Sequence, residues 1–154
     1  MCRKSEIGTR KGFTLVELAV VIVIIGVLAA FGVPRFLKSV ERSKAAEAFQ
    51  YLAAVRAAEE RYIAKEGVYT TDLTALDIVQ AAPKYFSVGT ITTVQGSDAT
   101  GGSTWTLTLS RIEGSSSYGA YTVIFNQNGY DTNSTINSIP DINPLGSAVT
   151  SSST

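Results

Sequence analysis

Residues 13–33 are apolar at nearly every position, and Glu17 is the only charge among them. As a helix, about 21 residues rising 1.5 Å each span roughly 30 Å, the thickness of a bilayer core. Val20, Val21, Ile22, Val23, Ile24 and Ile25 are poor helix formers in water, but in lipid the backbone must bond internally, which forces a helix. After Pro34 the pattern changes. Residues 35–66 hold no Gly or Pro and are rich in Ala, Glu, Lys and Arg, with apolar positions at Phe36, Val40, Ala45, Ala48, Leu52, Val55, Tyr62 and Ile63 at near-helical spacing. Glu41/Lys44, Lys44/Glu47 and Arg56/Glu60 fall three or four apart, as pairs on the opposite surface. Gly67 can end the helix as a C-cap. The spacing thus predicts one helix over residues 13–66, roughly 80 Å long, kinked or locally melted at Pro34 and at Gly26 or Gly32. Gly26, Ala29, Ala30 and Gly32 either admit a close neighbouring helix or reflect ordinary membrane-helix composition.

Beyond the helix the period falls to two. Thr71-Asp72 can cap a short helix through Leu73, Leu76 and Ile78. Three strand-like runs follow: residues 87–94, β-branched; 104–111, alternating Trp105, Leu107 and Leu109 with Thr106, Thr108 and Ser110; and 121–125, alternating Tyr121, Val123 and Phe125 with Thr122 and Ile124. Gly/Ser/Asp-rich connections at 97–103 and 113–120 are short, so adjacent strands are antiparallel. The expected class is α+β: a long N-terminal helix, membrane-spanning in its first half and amphipathic in its second, packed on a small antiparallel sheet of about three to four strands. The boundaries are 1–12 leader, 13–34 transmembrane and assembly helix, 35–66 amphipathic helix, 67–126 connecting segment and sheet, and 127–154 a polar tail expected to be loop and then disorder.

Glu17 is out of place in such a run. An acid at the centre of a membrane helix costs about 2.5–3.5 kcal/mol on insertion scales, which makes it a functional candidate; its bland alternative is an interfacial acid that snorkels to water. Arg3, Lys4, Arg10 and Lys11 precede the run, and Arg35, Lys38, Arg42 and Lys44 follow it, so the positive-inside count is nearly a tie, tilted inward by the denser leader. A cleaved secretory signal fits poorly, because its core is shorter, holds no acid and ends in a small-residue site missing here. The formal net charge is zero, so no general polyanion-binding surface is expected, and no nucleic-acid stripe is evident. The only cysteine is Cys2, in the leader, and there is no histidine, which removes His-based nucleophilic and zinc sites. An enzyme is not expected.

Gly12-Phe13-Thr14-Leu15-Val16-Glu17, the apolar helix behind it and Pro34 at its end resemble the N-terminus of a type IV prepilin or pseudopilin, closely over about the first 35 residues. The resemblance implies that a membrane-embedded aspartyl peptidase cuts after Gly12, discards residues 1–12 and methylates the new N-terminus at Phe13. Cleavage would create an α-amine with an ordinary pKa near 7.7–8.0, and an acid four residues on shares its helix face. Glu17 can then neutralise the Phe13 amine of its own or a neighbouring subunit and set axial register. The implied partners are copies of the chain in a helical filament, the prepilin peptidase, an inner-membrane assembly platform and, before assembly, membrane lipid. The implied location is the inner membrane and then a surface filament. Many such pilins staple their C-terminal region with a disulfide; without Cys2 this chain has none, so packing or a metal must hold the tail, or it is loose.

The expected function is a structural pilin of a type IV pilus, serving adhesion, twitching motility or DNA uptake. The alternatives are a type II secretion pseudopilin, periplasm-facing, and an anchored binding domain whose helix is only a tether. No cofactor is expected; Asp131, Asn133 and Asp141 are weak calcium candidates whose spacing does not fit an EF-hand, and turn residues are the better reading. Asn133-Ser134-Thr135 is also a glycosylation triplet of a kind common by chance. Phe31, Phe36, Phe49, Tyr51 and Tyr62 are expected to pack between elements, in preference to carrying electrons.

Overall fold

The computed structural model describes residues 12–96, 102–113 and 118–146. Residues 1–11 of the leader, parts of both Gly/Ser connections and the last eight residues of the tail (147–154) lie outside the described residues. The element order is α1 (Leu15–Glu66), β1 (Phe86–Val88), β2 (Thr92–Val94), β3 (Thr104–Arg111), β4 (Thr122–Asn126) and β5 (Gly129–Tyr130), with 3-10 turns at Leu73–Ala75 and Thr135–Ser138. The chain divides into two units, residues 1–37 and 38–154.

In the first unit α1 is helical through Gly26, Gly32 and Pro34. The melting expected there is absent. Proline removes a single backbone bond, and the helical hydrogen bonds of the turns on either side carry the helix past it. Every residue from 12 to 37 is exposed within the single chain.

In the second unit α1 presents Ala45, Ala48, Leu52, Val55 and Ala58 to the sheet, and these join Trp105, Leu107 and Leu109 of β3 with Tyr121, Val123 and Phe125 in one core. Phe49 stacks on Tyr130 at 5.1 Å and meets Phe125 edge-on at 5.8 Å, so this aromatic group is packing material. Phe36 is exposed despite its helical spacing, because it falls in the first unit. Asp72 caps the Leu73–Ala75 turn through Thr74 N–H at 2.8 Å; the turn stops after three residues, short of the helix expected to Ile78.

The sheet is antiparallel, as expected, and has five strands, ordered β1-β3-β4-β5 with β2 also on β3, one more than the three to four expected. The run at 87–94 is broken in two by a bulge: residues 89–91, between Val88↔Leu109 and Thr92↔Thr106, face only residues 107 and 108 of β3. Gly89 makes this possible. Its N–H donates to the Thr108 carbonyl at 3.0 Å, and a Cβ at Gly89 would stand 2.8 Å from the same oxygen. Gly89→Ala is therefore expected to destabilise the head by about 1–3 kcal/mol, read as a lower denaturant midpoint.

The tail, where it is described, is held more firmly than its composition suggests. Residues 127–146 are docked, with Ile136 and Ile142 fully buried, each worth about 1.5–3 kcal/mol. Gln127-Asn128 turns the chain, with Gly129 at φ 108°, and β5 returns along β4. Where β5 ends, hydroxyls take over its edge: Ser134 Oγ accepts from Ile124 N–H at 2.9 Å, and Thr135 Oγ1 accepts from Thr122 N–H at 2.7 Å. Polar residues of the tail replace a missing strand. Nearer the end, Arg42 donates to the Pro144 carbonyl at 3.1 Å and Lys38 pairs with Asp141 at 2.6 Å. Packing and hydrogen bonds do the work that a disulfide would otherwise do.

Candidate functional site

The chemistry-bearing residues foreseen at the N-terminus sit where the helix starts. Leu15 is the first helical residue, and Thr14 immediately precedes it. The Glu17 N–H donates to Thr14 Oγ1 at 3.2 Å, and the Thr14 N–H donates back to Glu17 Oε2 at 2.8 Å. This is a reciprocal capping box, in which the N-cap threonine and the acid three residues on satisfy each other's backbone donors. The Thr14 hydroxyl also donates to Oε2, at 2.9 Å. Both bonds to the carboxylate end on Oε2, so Oε1 is left for a further donor. An acid at this position also complements the positive end of the helix dipole. The motif Thr-x-x-Glu is readable in the sequence, and Glu17 serves both as a charge within the apolar run and as half of a cap.

Gly12 and Phe13 precede the helix in non-regular backbone and are exposed, so the bond between them lies outside any helical hydrogen bonding. Behind them, Leu15, Val16, Ala19, Val20, Val23 and Ile24 line an open apolar surface with almost no polar atoms. Leu15 is 87% exposed. A Cβ built at Gly26 or Gly32 would meet nothing within 4 Å, so nothing among the described residues requires those two positions to be small. α1 is long and apolar enough, by length and composition, to cross a membrane.

A second constellation escaped the sequence reading. Glu41 and Arg111 are each 3% exposed. Arg111 Nε donates to Glu41 Oε1 at 2.7 Å, its second terminal nitrogen lies 3.3 Å from Oε2, and its first donates to the carbonyls of Tyr85 and Ile112. Tyr121 OH donates to Oε1 at 3.0 Å, and Lys44 Nζ stands 3.5 Å from Oε2. Glu41 was expected on the solvent surface beside Lys44; it instead bonds the second half of α1 to β3. Burial pushes the Glu41 carboxyl upward, but hydrogen bonds from Arg111 and Tyr121 and the charges of Arg111 and Lys44 outweigh it and hold the acid below its ordinary range. The signal available was the alternation of β3, which points residue 111 inward with 105, 107 and 109.

The weak calcium candidates are engaged elsewhere. Asp131 Oδ1 accepts from the backbone and side-chain N–H groups of Asn133, both at 2.9 Å, and Oδ2 from Asn126 at 3.3 Å. Asp141 is held by Lys38. Among the described residues no three Asp, Glu, Cys or His side chains converge. The geometry is that of turn residues. Asn133 is exposed, but Thr135 of the glycosylation triplet is bonded to β4.

Residues 8–33 match the family described as the prokaryotic N-terminal methylation motif. The chain is 42% identical over 69 residues to the fimbrial protein EcpC of Eikenella corrodens, covering 45% of each protein. It is 42% identical over 69 residues to the type IV major pilin protein PilA of Myxococcus xanthus, covering 44% of this chain and 31% of that one. With the type IV narrow pilus major component PilA5 of Thermus thermophilus it shares 40% identity over 96 residues, 62% of this chain and 69% of that protein. The matched region thus spans less than half the length of the first two relatives. No solved structure matches.

Proposed function

Because this chain belongs to the type IV pilin family, we propose that it is the structural subunit of a type IV pilus filament, made assembly-competent by cleavage after Gly12 and methylation of Phe13. The observation that carries the reading is an apolar helix, exposed on every face from residue 15 to 37, whose first turn carries an acid with an open Oε1. Such a surface is tolerable only in lipid or among copies of itself. Before assembly, lipid covers the helix. In the filament, copies of the same helix replace lipid, an exchange that gains little hydrophobic free energy, so close packing and charge matching have to direct it.

The chemistry follows from the capping box. Cleavage removes the residues before Phe13 and leaves a cationic amine one turn below a carboxylate that Thr14 already holds in place. Oε1 accepts that amine, from its own or a neighbouring chain, and the pair neutralises two charges that hydrocarbon would otherwise have to bury. Gly26 and Gly32, with open space among the described residues where a Cβ would stand, give neighbouring helices room to approach. The prepilin peptidase and an inner-membrane assembly platform are the partners this route needs.

Intact-mass and N-terminal fragment spectra of filament subunits provide the test. The expected mature chain starts at N-methylated Phe13 and lacks Met1 and Cys2; a filament subunit still carrying Met1 would refute the processing step.

A further inference from the structure

Glu59 has no exposed surface, at 0%. Its Oε2 accepts one hydrogen bond, from the Thr70 N–H at 3.2 Å, and its Oε1 is buried without a partner. Residue 70 lies in the 67–78 segment that follows α1, which places Leu76 in the core and lays Tyr69 and Leu73 half-buried against it. A second unmet group adjoins the same place. The indole N–H of Trp105 is buried without a partner, and its ring lies edge-on to Tyr69, with centroids 6.5 Å apart. A buried acid with one donor and an indole with no acceptor thus meet two consecutive residues of one segment. Native interiors rarely leave such groups unmet without a reason.

Among the described residues no cation offsets this acid. On α1, Glu60 is a like charge, Arg56 aims its Nε at the Gln127 carbonyl at 3.0 Å, and Lys65 pairs with Glu66. On the 67–78 segment, Asp72 is turned back on Thr74, and Asp77 is held by Arg61 at 2.7 Å. The strands bring the uncharged Trp105, Leu107 and Phe125 to the same core.

We propose that Glu59 is a proton-controlled latch closing the 67–78 segment over the end of α1. A neutral carboxyl keeps the segment docked; loss of its proton to water releases it, solvates the carboxylate and uncovers Tyr69, Leu73 and Leu76. Burial holds this carboxyl above its ordinary range, with the Thr70 bond pulling the other way and Glu60 adding to the rise. The folded chain therefore holds the proton more tightly than the unfolded one. The stabilisation is complete below pH about 4.5 and is lost as pH rises through the folded value.

The test uses the full chain in detergent micelles, with Trp105 as the only tryptophan. Carbon-13 shifts of the Glu59 carboxyl should titrate with a midpoint above 4.5. Trp105 emission should move to the red at the same midpoint. Hydrogen-exchange protection of residues 68–76 should fall there, by up to about ten-fold for each unit the midpoint is raised. Glu59→Gln, which keeps an acceptor for Thr70, should flatten both responses. A Glu59 midpoint at or below 4.5, or a Trp105 transition that persists in Glu59→Gln, would overturn the latch. Should that variant not fold, the carboxyl and Thr70 amide shifts of the unmodified chain decide the question.

Discussion

Glu17→Gln subunits are expected to insert in the membrane and to form almost no filaments, while Thr14→Ala subunits assemble with a modest defect. The two substitutions separate the roles that the capping box combines. Glutamine still reaches back to the Thr14 N–H, so the helix start survives, but the charge is gone. The α-amine is then buried among helices without its counter-ion, at a cost of about 3–5 kcal/mol, or roughly two to three and a half decades in the assembly equilibrium. Alanine at Thr14 keeps the charge and loses the cap, at about 1 kcal/mol, or roughly five-fold. Counting surface filaments against the membrane pool for both variants reads the difference. Equal defects would mean that Glu17 matters as a cap and not as a charge.

Arg111→Ala is expected to lower the stability of the head by about 3–5 kcal/mol, a large share of the about 5–15 kcal/mol typical of a whole domain. The loss comes from leaving Glu41 buried without its guanidinium, which also bonds the Tyr85 and Ile112 carbonyls. Replacing both partners at once, as Glu41→Leu with Arg111→Met, should recover most of it, because two apolar groups leave no buried charge behind. The pH response has a definite sign. The Glu41 carboxyl is held below its ordinary range, so its contribution is present above pH about 4.5 and is lost as pH falls through the lowered value. Denaturation of the full chain in micelles, followed by Trp105 emission, measures each of these. At Glu41 the head loosens in acid, and at Glu59 the 67–78 segment loosens as pH rises; the two ends of the docked helix respond in opposite directions.

Much of this architecture is legible in the chain. The apolar run and the Ala/Glu/Lys/Arg pattern after it place α1 within two residues of its start and at its end, and strict alternation places β3 to the residue. What stayed hidden was polar. Arg111 continues the inward alternation of Trp105, Leu107 and Leu109, yet a charge at a strand end reads as solvent-facing until a partner is known, and Glu41 lies 70 residues away. Glu41 itself looked like half of a surface pair with Lys44, because i,i+3 spacing does not say which side of the helix meets the sheet. The tail misled for a related reason. Composition rich in Asn, Ser and Asp marks segments that cannot bury a core, but Ile136 and Ile142 are enough when hydroxyls and amides bond to an open strand edge. At the N-terminus the charge and its spacing were readable, and the cap was passed over in favour of the charge.

In the filament the exposed helix of residues 15–37 becomes an interface between copies of this chain, organised by Glu17. A filament density map resolving side chains around Phe13 tests it most directly. The map should show residues 15–37 enclosed by neighbouring helices and a Phe13 amine within about 3 Å of a Glu17 carboxylate. A filament in which that helix faces solvent, or in which Glu17 has no amine beside it, would rule out assembly through this helix and charge pair.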